Sequence, residues 1–180
     1  DESLHVDAGN LAAFLAKIST AHPEHFDRIV ETVRQVAPFF GAFHFKVEND
    51  KVMLGWKDRY CDMIYSPTQL SDGTLRYICL ATLLLQPTPP STLIIDEPEL
   101  GLHPYAIKLL GSLLHDAASR GQILVSTQSS LLLDEVEPRH VIVANPREGE
   151  TILERLKPAP LASWLEEYTL GQLWEKDQFG

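Results

Sequence analysis

The chain reads as an α/β domain in which a mostly parallel sheet flanked by helices follows an N-terminal helical segment and a small antiparallel hairpin. Two observations carry that reading. Between residues 92 and 144, apolar strand-like runs alternate with helix-like runs, and the order strand, helix, strand, helix, strand needs the crossovers that parallel pairing uses. Composition agrees: 180 residues at 44% hydrophobic supply one full core, and Gly 10 with Pro 12 exclude collagen and disordered low-complexity chains.

At residues 10–18, Leu11, Phe14, Leu15 and Ile18 recur at three and four, the spacing of a helix with one buried stripe. A second helix starts at Pro23, carries its stripe on Phe26, Ile29, Val30, Val33 and Val36, and is stopped by Pro38. Residues 43–47 and 52–56 are short β-like runs around Glu48, Asn49 and Asp50, so an antiparallel hairpin is expected. Residues 69–73 form a polar, glycine-containing turn into 75–85, a helix apolar on most faces and therefore buried. The stretch 86–91, with three prolines, is a rigid connector.

A continuous apolar strand at 92–95 then ends on Asp96, Glu97 and Pro98. Residues 106–118 are an amphipathic helix, 122–127 a second buried strand, 131–136 a short helix and 140–144 a third strand of the sheet. An edge strand at 151–156 and a terminal helix at 161–174 complete the chain. The expected division is one domain over 1–180: a helical segment at 1–40, a hairpin region at 41–66, a core at 67–145, and an edge strand with helix at 146–180.

Charge and cysteine usage narrow the function classes. The formal net charge of −10 repels phosphate backbones and anionic lipid, so this acidic chain alone is not expected to bind DNA, and no membrane association is expected. Cys61 and Cys79 form no CxxC pair, which removes a disulfide framework and a thiolate zinc site and makes a reduced, cytoplasmic setting the default. Asp1 is not a methionine and no signal-peptide pattern follows it, so the expectation is a piece of a longer protein.

Chemistry concentrates at strand ends. In an open parallel sheet, functional groups gather beyond the carboxyl ends of the strands, where Asp96 and Glu97 stand. Two adjacent carboxylates are costly to bury without a cation, a water or basic partners, and a magnesium-phosphate site would satisfy them. Leu70, Ser71, Asp72, Gly73 and Thr74 offer a hydroxyl, a glycine backbone and the positive end of a helix, which suits an anionic oxygen; plain N-capping by Ser71 or Asp72 is the alternative. Residues 125–129 put a second polar tip, including the Gln128 amide, after the next strand.

In that order and separation the motifs resemble the C-terminal half of an ABC-type ATPase head in the RecF and SMC branch, most closely the RecF-like AAA-type ATPases of bacteria. Residues 70–74 resemble the ABC signature, 93–97 the Walker B strand and 99–104 the D-loop, with Gln128 where a switch histidine is usual. The resemblance is strong over 69–144 and weak over 10–47, where it touches a helical insertion. It implies a P-loop NTPase fold using ATP and Mg2+. Asp96 would help hold magnesium, partly through water, and Glu97 would polarise the attacking water. Leu70, Ser71, Asp72 and the Gly73 amide would face the nucleotide of a second head, Ser71 and the Gly73 amide touching its γ-phosphate. His103 would lie at the seam of that pair, and Gln128 would touch the γ-phosphate as a neutral donor. ATP-dependent head dimerisation would gate an attached activity, with DNA repair or phage defence as settings by analogy and DNA reached only through the complete protein.

Three departures qualify the resemblance. No glycine here is followed by lysine, so the GxxxxGK[ST] phosphate cradle is absent from this sequence; a Walker A half is expected to precede Asp1 or to arrive as another chain, and this chain alone is expected to be inactive. Asp72 replaces a glycine of the signature, with Arg76 one turn on to offset its charge. Gln128 removes any proton-shuttle role.

Competing readings are weaker on their residues. A non-catalytic, nucleotide-gated interaction module is the alternative to an ATPase. His22 and His25 as metal ligands compete with solvated surface, a Ser71, His103 and Asp96 triad lacks a GxSxG elbow, and a Toprim-type nuclease needs a DxD pair. Arg139, His140, Arg147 and Lys157 make at most a small basic edge.

Overall fold

The computed structural model describes residues 3–179. Helix α1 (Leu11–Ala21) buries Leu11, Phe14, Leu15 and Ile18, and runs beyond its apolar stripe until His22 closes it on the Ile18 carbonyl. Helix α2 (Pro23–Val36) starts on its proline and buries Ile29, Val30 and Val33. Strands β1 (Phe40–Glu48) and β2 (Lys51–Asp58) form the expected hairpin, with Glu48 opposite Lys51 across Asn49 and Asp50. Both turn residues are left-handed, at φ 49° and 59°, as a two-residue hairpin matched to strand twist requires. Phe43 and Phe45, on one face of β1, pack their rings 5.8 and 6.1 Å from Phe26 of α2. A short strand β3 (Ile64–Tyr65), not anticipated, pairs with β2 and stacks Tyr65 on Trp56 at 4.9 Å.

Helix α3 (Asp72–Leu85) is the buried helix, with Tyr77, Ile78, Leu80, Ala81, Thr82, Leu84 and Leu85 inside. Its last carbonyls cannot bond within the helix, and side chains from three elements take them. Gln86 Nε2 donates to Leu83 O at 2.8 Å, Arg120 donates to Leu84 O and to Gln86 O, and His25 Nδ1 bonds Leu85 O at 2.8 Å. His25 is thereby a cap for a neighbouring helix rather than solvated surface. No group of three or more potential metal-ligating side chains occurs among the described residues.

Strands β4 (Thr92–Asp96) and β5 (Gln122–Ser126) are joined by α4 (Pro104–Ala118) and pair in parallel from Thr92 opposite Gln122 to Asp96 opposite Ser126. Leu93, Ile95, Ile123 and Val125 pack against the core that α3 and α4 share. The opposite face is open: Ile94 and Leu124, register partners, are 76% and 52% exposed. The expectation of fully buried strands therefore holds for one face only.

The third parallel strand is corrected. Strand β6 (Ile142–Arg147) pairs antiparallel with β7 (Glu150–Arg155) in a separate two-stranded sheet, so the parallel ladder is confined to β4 and β5 among the described residues. The cause is local: Glu148 and Gly149 are both left-handed, at φ 53° and 87°, and close a two-residue hairpin that the edge-strand reading overlooked. The single terminal helix is likewise replaced by two short ones, α6 (Pro158–Leu161) and α7 (Leu170–Glu175). Helix α7 docks on the four-residue helix α5 (Ser130–Leu133), its Gly171 N–H donating to Asp134 Oδ1 at 2.7 Å. Of the basic edge, Arg139 pairs with Glu137 at 2.8 Å. No helix among the described residues is long and apolar enough to cross a membrane.

Candidate functional site

Two clusters form where loops meet. At the first, Asp96 ends β4 with its carboxylate exposed, and Ser126, its register partner on β5, donates a hydroxyl to Oδ1. Glu97 follows in a left-handed conformation, φ 41°, which a side-chain-bearing residue adopts only at a cost. Three hydrogen bonds hold it there: its N–H donates to Ser126 O at 3.0 Å, and its carbonyl accepts from Leu100 N at 3.2 Å and from Arg76 Nη2 at 2.8 Å. The conformation re-aims the chain so that Glu97 Oε1 meets Gln128 Nε2 at 3.3 Å across 31 residues of sequence. The structure thus brings Asp96, Glu97 and Gln128 together. The partners facing the two acids are a hydroxyl and an amide, where basic side chains had been one expectation.

The second cluster joins the start of α3 to the turn before α4. Ser71 is the N-cap, its Oγ accepting from Thr74 N at 3.2 Å and lying 2.8 Å from Thr74 Oγ1. Asp72 is exposed in the first helical turn and is not the cap, and Arg76 spends its guanidinium on the Glu97 carbonyl instead of offsetting Asp72. Gly73 packs so closely on the turn that a Cβ there would overlap the carbonyl oxygen of Gly101, itself left-handed at φ 77°. Leu70 leans on the core and donates its N–H to Pro67 O. His103 caps α4 with Nδ1, which accepts from Tyr105 N at 3.3 Å and so leaves the ring proton on Nε2. Among the described residues, no hydrogen bond or ion pair links Ser71, Asp72 or Gly73 to the side chains of Asp96, Glu97 or Gln128.

Sequence reasoning missed Ser126, Thr127 and Glu99 as members of the first cluster. Thr127 Oγ1 donates to Glu99 Oε1 at 2.5 Å, whereas the sequence places Glu99 only at the start of the D-loop-like stretch. Alternation along β5 could have placed Ser126 beside Asp96, since both end strands of equal length.

Residues 19–134 match the model of the family described as "AAA domain, putative AbiEii toxin, Type IV TA system". The chain belongs to this AAA-domain family. Among curated proteins, a "Putative ABC transporter ATP-binding protein" of Methanosarcina acetivorans is 34% identical over 79 residues, which is 43% of this chain and 28% of that relative's length. The AAA-domain fold recurs in solved SMC heads. A structure from work on ATP-driven dimerization and DNA-stimulated activation of SMC ATPases superimposes with a TM-score of 0.60 at 16% identity, covering 85% of this chain and 96% of that one. The Smc head of Pyrococcus furiosus, bound to the C-terminal domain of ScpA, gives 0.63 at 16% identity over 85% of this chain and 39% of its own. An Smc head with coiled coil from Pyrococcus yayanosii gives 0.60 at 17% over 89% and 34%. The chain is thus an AAA domain whose fold is that of solved SMC heads.

Proposed function

We propose that this chain is the signature and Walker B lobe of an ATP-hydrolysing head, and the observation that carries the reading is the meeting of Glu97 and Gln128 beside Asp96 at the end of the parallel ladder. Glu97 orients the attacking water and takes its proton; Gln128, a neutral donor on Glu97 Oε1, turns that carboxylate and donates toward the γ-phosphate. Asp96, an exposed hard-oxygen donor beside the Ser126 hydroxyl, fits a magnesium ion that keeps most of its waters. When bound, magnesium supplies neutralisation of charge on the phosphate oxygens.

The phosphate cradle comes from a separate segment. Support for this lies on the open face of β4 and β5, because Asp96 and Ser126 stand on the same face as the uncovered Ile94 and Leu124. A phosphate-binding half laid over those apolar side chains delivers a nucleotide to Asp96. The signature cluster acts on a second copy: Ser71 and the Gly73 amide, at the positive end of α3, reach the γ-phosphate held by the partner head, with Leu70 and Asp72 flanking them and His103 at the seam. Among the described residues no hydrogen bond ties them to the side chains of Asp96 or Glu97 within one chain, which supports that division of labour. Head pairing in the cytoplasm then gates an attached activity, with DNA repair or phage defence as settings by analogy and DNA reached only through the complete protein.

In the full-length protein, Glu97→Gln should retain ATP binding, lower turnover by about 10² or more, and hold the heads together as a trapped dimer. Wild-type turnover by the Gln variant would remove Glu97 from the mechanism, and absence of turnover in the wild type would favour the non-catalytic module.

A further inference from the structure

We infer that Glu99 is a positioning residue that fixes the loop carrying Gln128, acting through the hydroxyl of Thr127; the inference deepens the ATP-hydrolysing reading and rests on it for its catalytic consequence. The backbone of Glu99 already closes its own turn, its carbonyl accepting from Leu102 N at 2.9 Å, so the side chain is not needed to shape that turn. The carboxylate instead crosses 28 residues to Thr127, accepting from Oγ1 at 2.5 Å. Its other oxygen, Oε2, is buried with no hydrogen-bond partner among the described residues. A buried carboxylate oxygen left unpaired lowers stability, which argues that this acid is kept for what it holds.

What it holds follows from hydrogen-bond polarity. A carboxylate only accepts, so the single hydroxyl proton of Thr127 must point at Glu99. The lone pairs of Oγ1 are then left for the Ser129 N–H, which donates to it at 3.0 Å. Thr127 and Ser129 flank Gln128, so this relay braces the residue between them while its Nε2 rests on Glu97 Oε1 at 3.3 Å. Ser129 also caps α5 through Leu132 N at 3.3 Å, which anchors the far end of the loop. The D-loop-like turn and the amide that touches Glu97 are therefore coupled through Glu99 and Thr127.

The test has a catalytic arm and a structural one. In full-length protein, Glu99→Ala and Thr127→Ala should each lower kcat for ATP about tenfold with KM within about twofold, and the double variant should be no slower than either single. Thr127→Ser, which restores the hydroxyl, and Glu99→Gln, which keeps an acceptor, should recover to within about threefold of wild type. In the full-length protein, Glu99→Ala should also remove hydrogen-exchange protection at the Ser129 amide while the amides of α3 and α4 keep theirs. Turnover in the wild type with unchanged kcat in the alanine variants, or singles whose effects multiply, overturns the inference and leaves the ATPase reading standing. No turnover in the wild type defeats the ATPase reading, and the exchange arm then decides the relay: unchanged Ser129 protection in Glu99→Ala overturns it.

Discussion

Arg76 Nη2 donates to the carbonyl oxygen of Glu97 at 2.8 Å, so a side chain from the helix that Ser71 caps grips the backbone of the strand end carrying the acids. The contact holds a residue in a conformation it would otherwise leave, and it does so with a charged donor that is half-buried.

Arg76→Met keeps the aliphatic stem and removes the donor. Loss of a hydrogen bond from a charged group at a partly buried carbonyl should lower stability by about 1–2 kcal/mol in urea denaturation. Exchange at the Glu97 and Leu100 amides should quicken ahead of the α4 core. An unchanged midpoint with unchanged exchange would mean that Arg76 only decorates the turn.

The left-handed φ of Glu97 gives a comparison between two small side chains. Glu97→Ala and Glu97→Gly both remove the carboxylate and its contact with Gln128, but only glycine adopts φ 41° without a Cβ clash. Glycine's larger unfolded-state entropy opposes the gain, which leaves the Gly variant more stable than the Ala variant by about 0.5–1 kcal/mol. Denaturation midpoints in the reverse order would show that the conformation is not strained.

Gly73 tests the close approach of α3 to the turn before α4. Alanine is the better helix former by about 1 kcal/mol, so propensity alone predicts that Gly73→Ala stabilises. The overlap of its Cβ with the Gly101 carbonyl oxygen, a backbone atom in a turn of its own, should reverse that sign and give a net loss of about 1–3 kcal/mol. Thermal melts that rise on substitution would disprove the tight contact.

These residues also mark where the sequence spoke and where it was silent. Apolar spacing located α1, α2 and α4, because each buries a stripe that recurs at three and four, while α3 was legible as a helix apolar on most faces. Asn49 and Asp50 announced the first hairpin, since both tolerate left-handed backbone; Glu148 does not advertise it, and the second hairpin was read as strands of two different pairings. Asp96, Glu97 and Gln128 were visible by type and order. Their bracing was not, because Arg76 binds a backbone carbonyl, which carries no residue identity, and because nothing in a glutamate signals φ 41°. The open face of β4 and β5 was hidden for a related reason: an apolar run states what a strand wants covered, not whether this chain covers it.

Tyr77 provides a pH-dependent prediction. It is buried in α3 at 1% exposure, and its hydroxyl has no hydrogen-bond partner among the described residues. Burial, with a smaller contribution from Tyr105, pushes its phenol up to about 12 from an ordinary value of 10.0. Between those two values the unfolded chain has released the phenolic proton and the native chain still holds it, so the unfolded state binds fewer protons and stability must fall as pH rises. The contribution is whole below pH 10 and is lost progressively as pH climbs through 12, amounting to about 3 kcal/mol at most. Tyr77→Phe should abolish that share of the decline. At neutral pH the same substitution removes a buried hydroxyl with nothing to bond and keeps the ring, so its stability should equal or exceed wild type by up to about 1 kcal/mol. Urea midpoints of both proteins from pH 7 to 11.5 check the two claims together. A wild-type decline that persists unchanged in the Phe variant would assign it to other groups, and a Phe variant weaker at pH 7 would show that the Tyr77 hydroxyl is bonded after all.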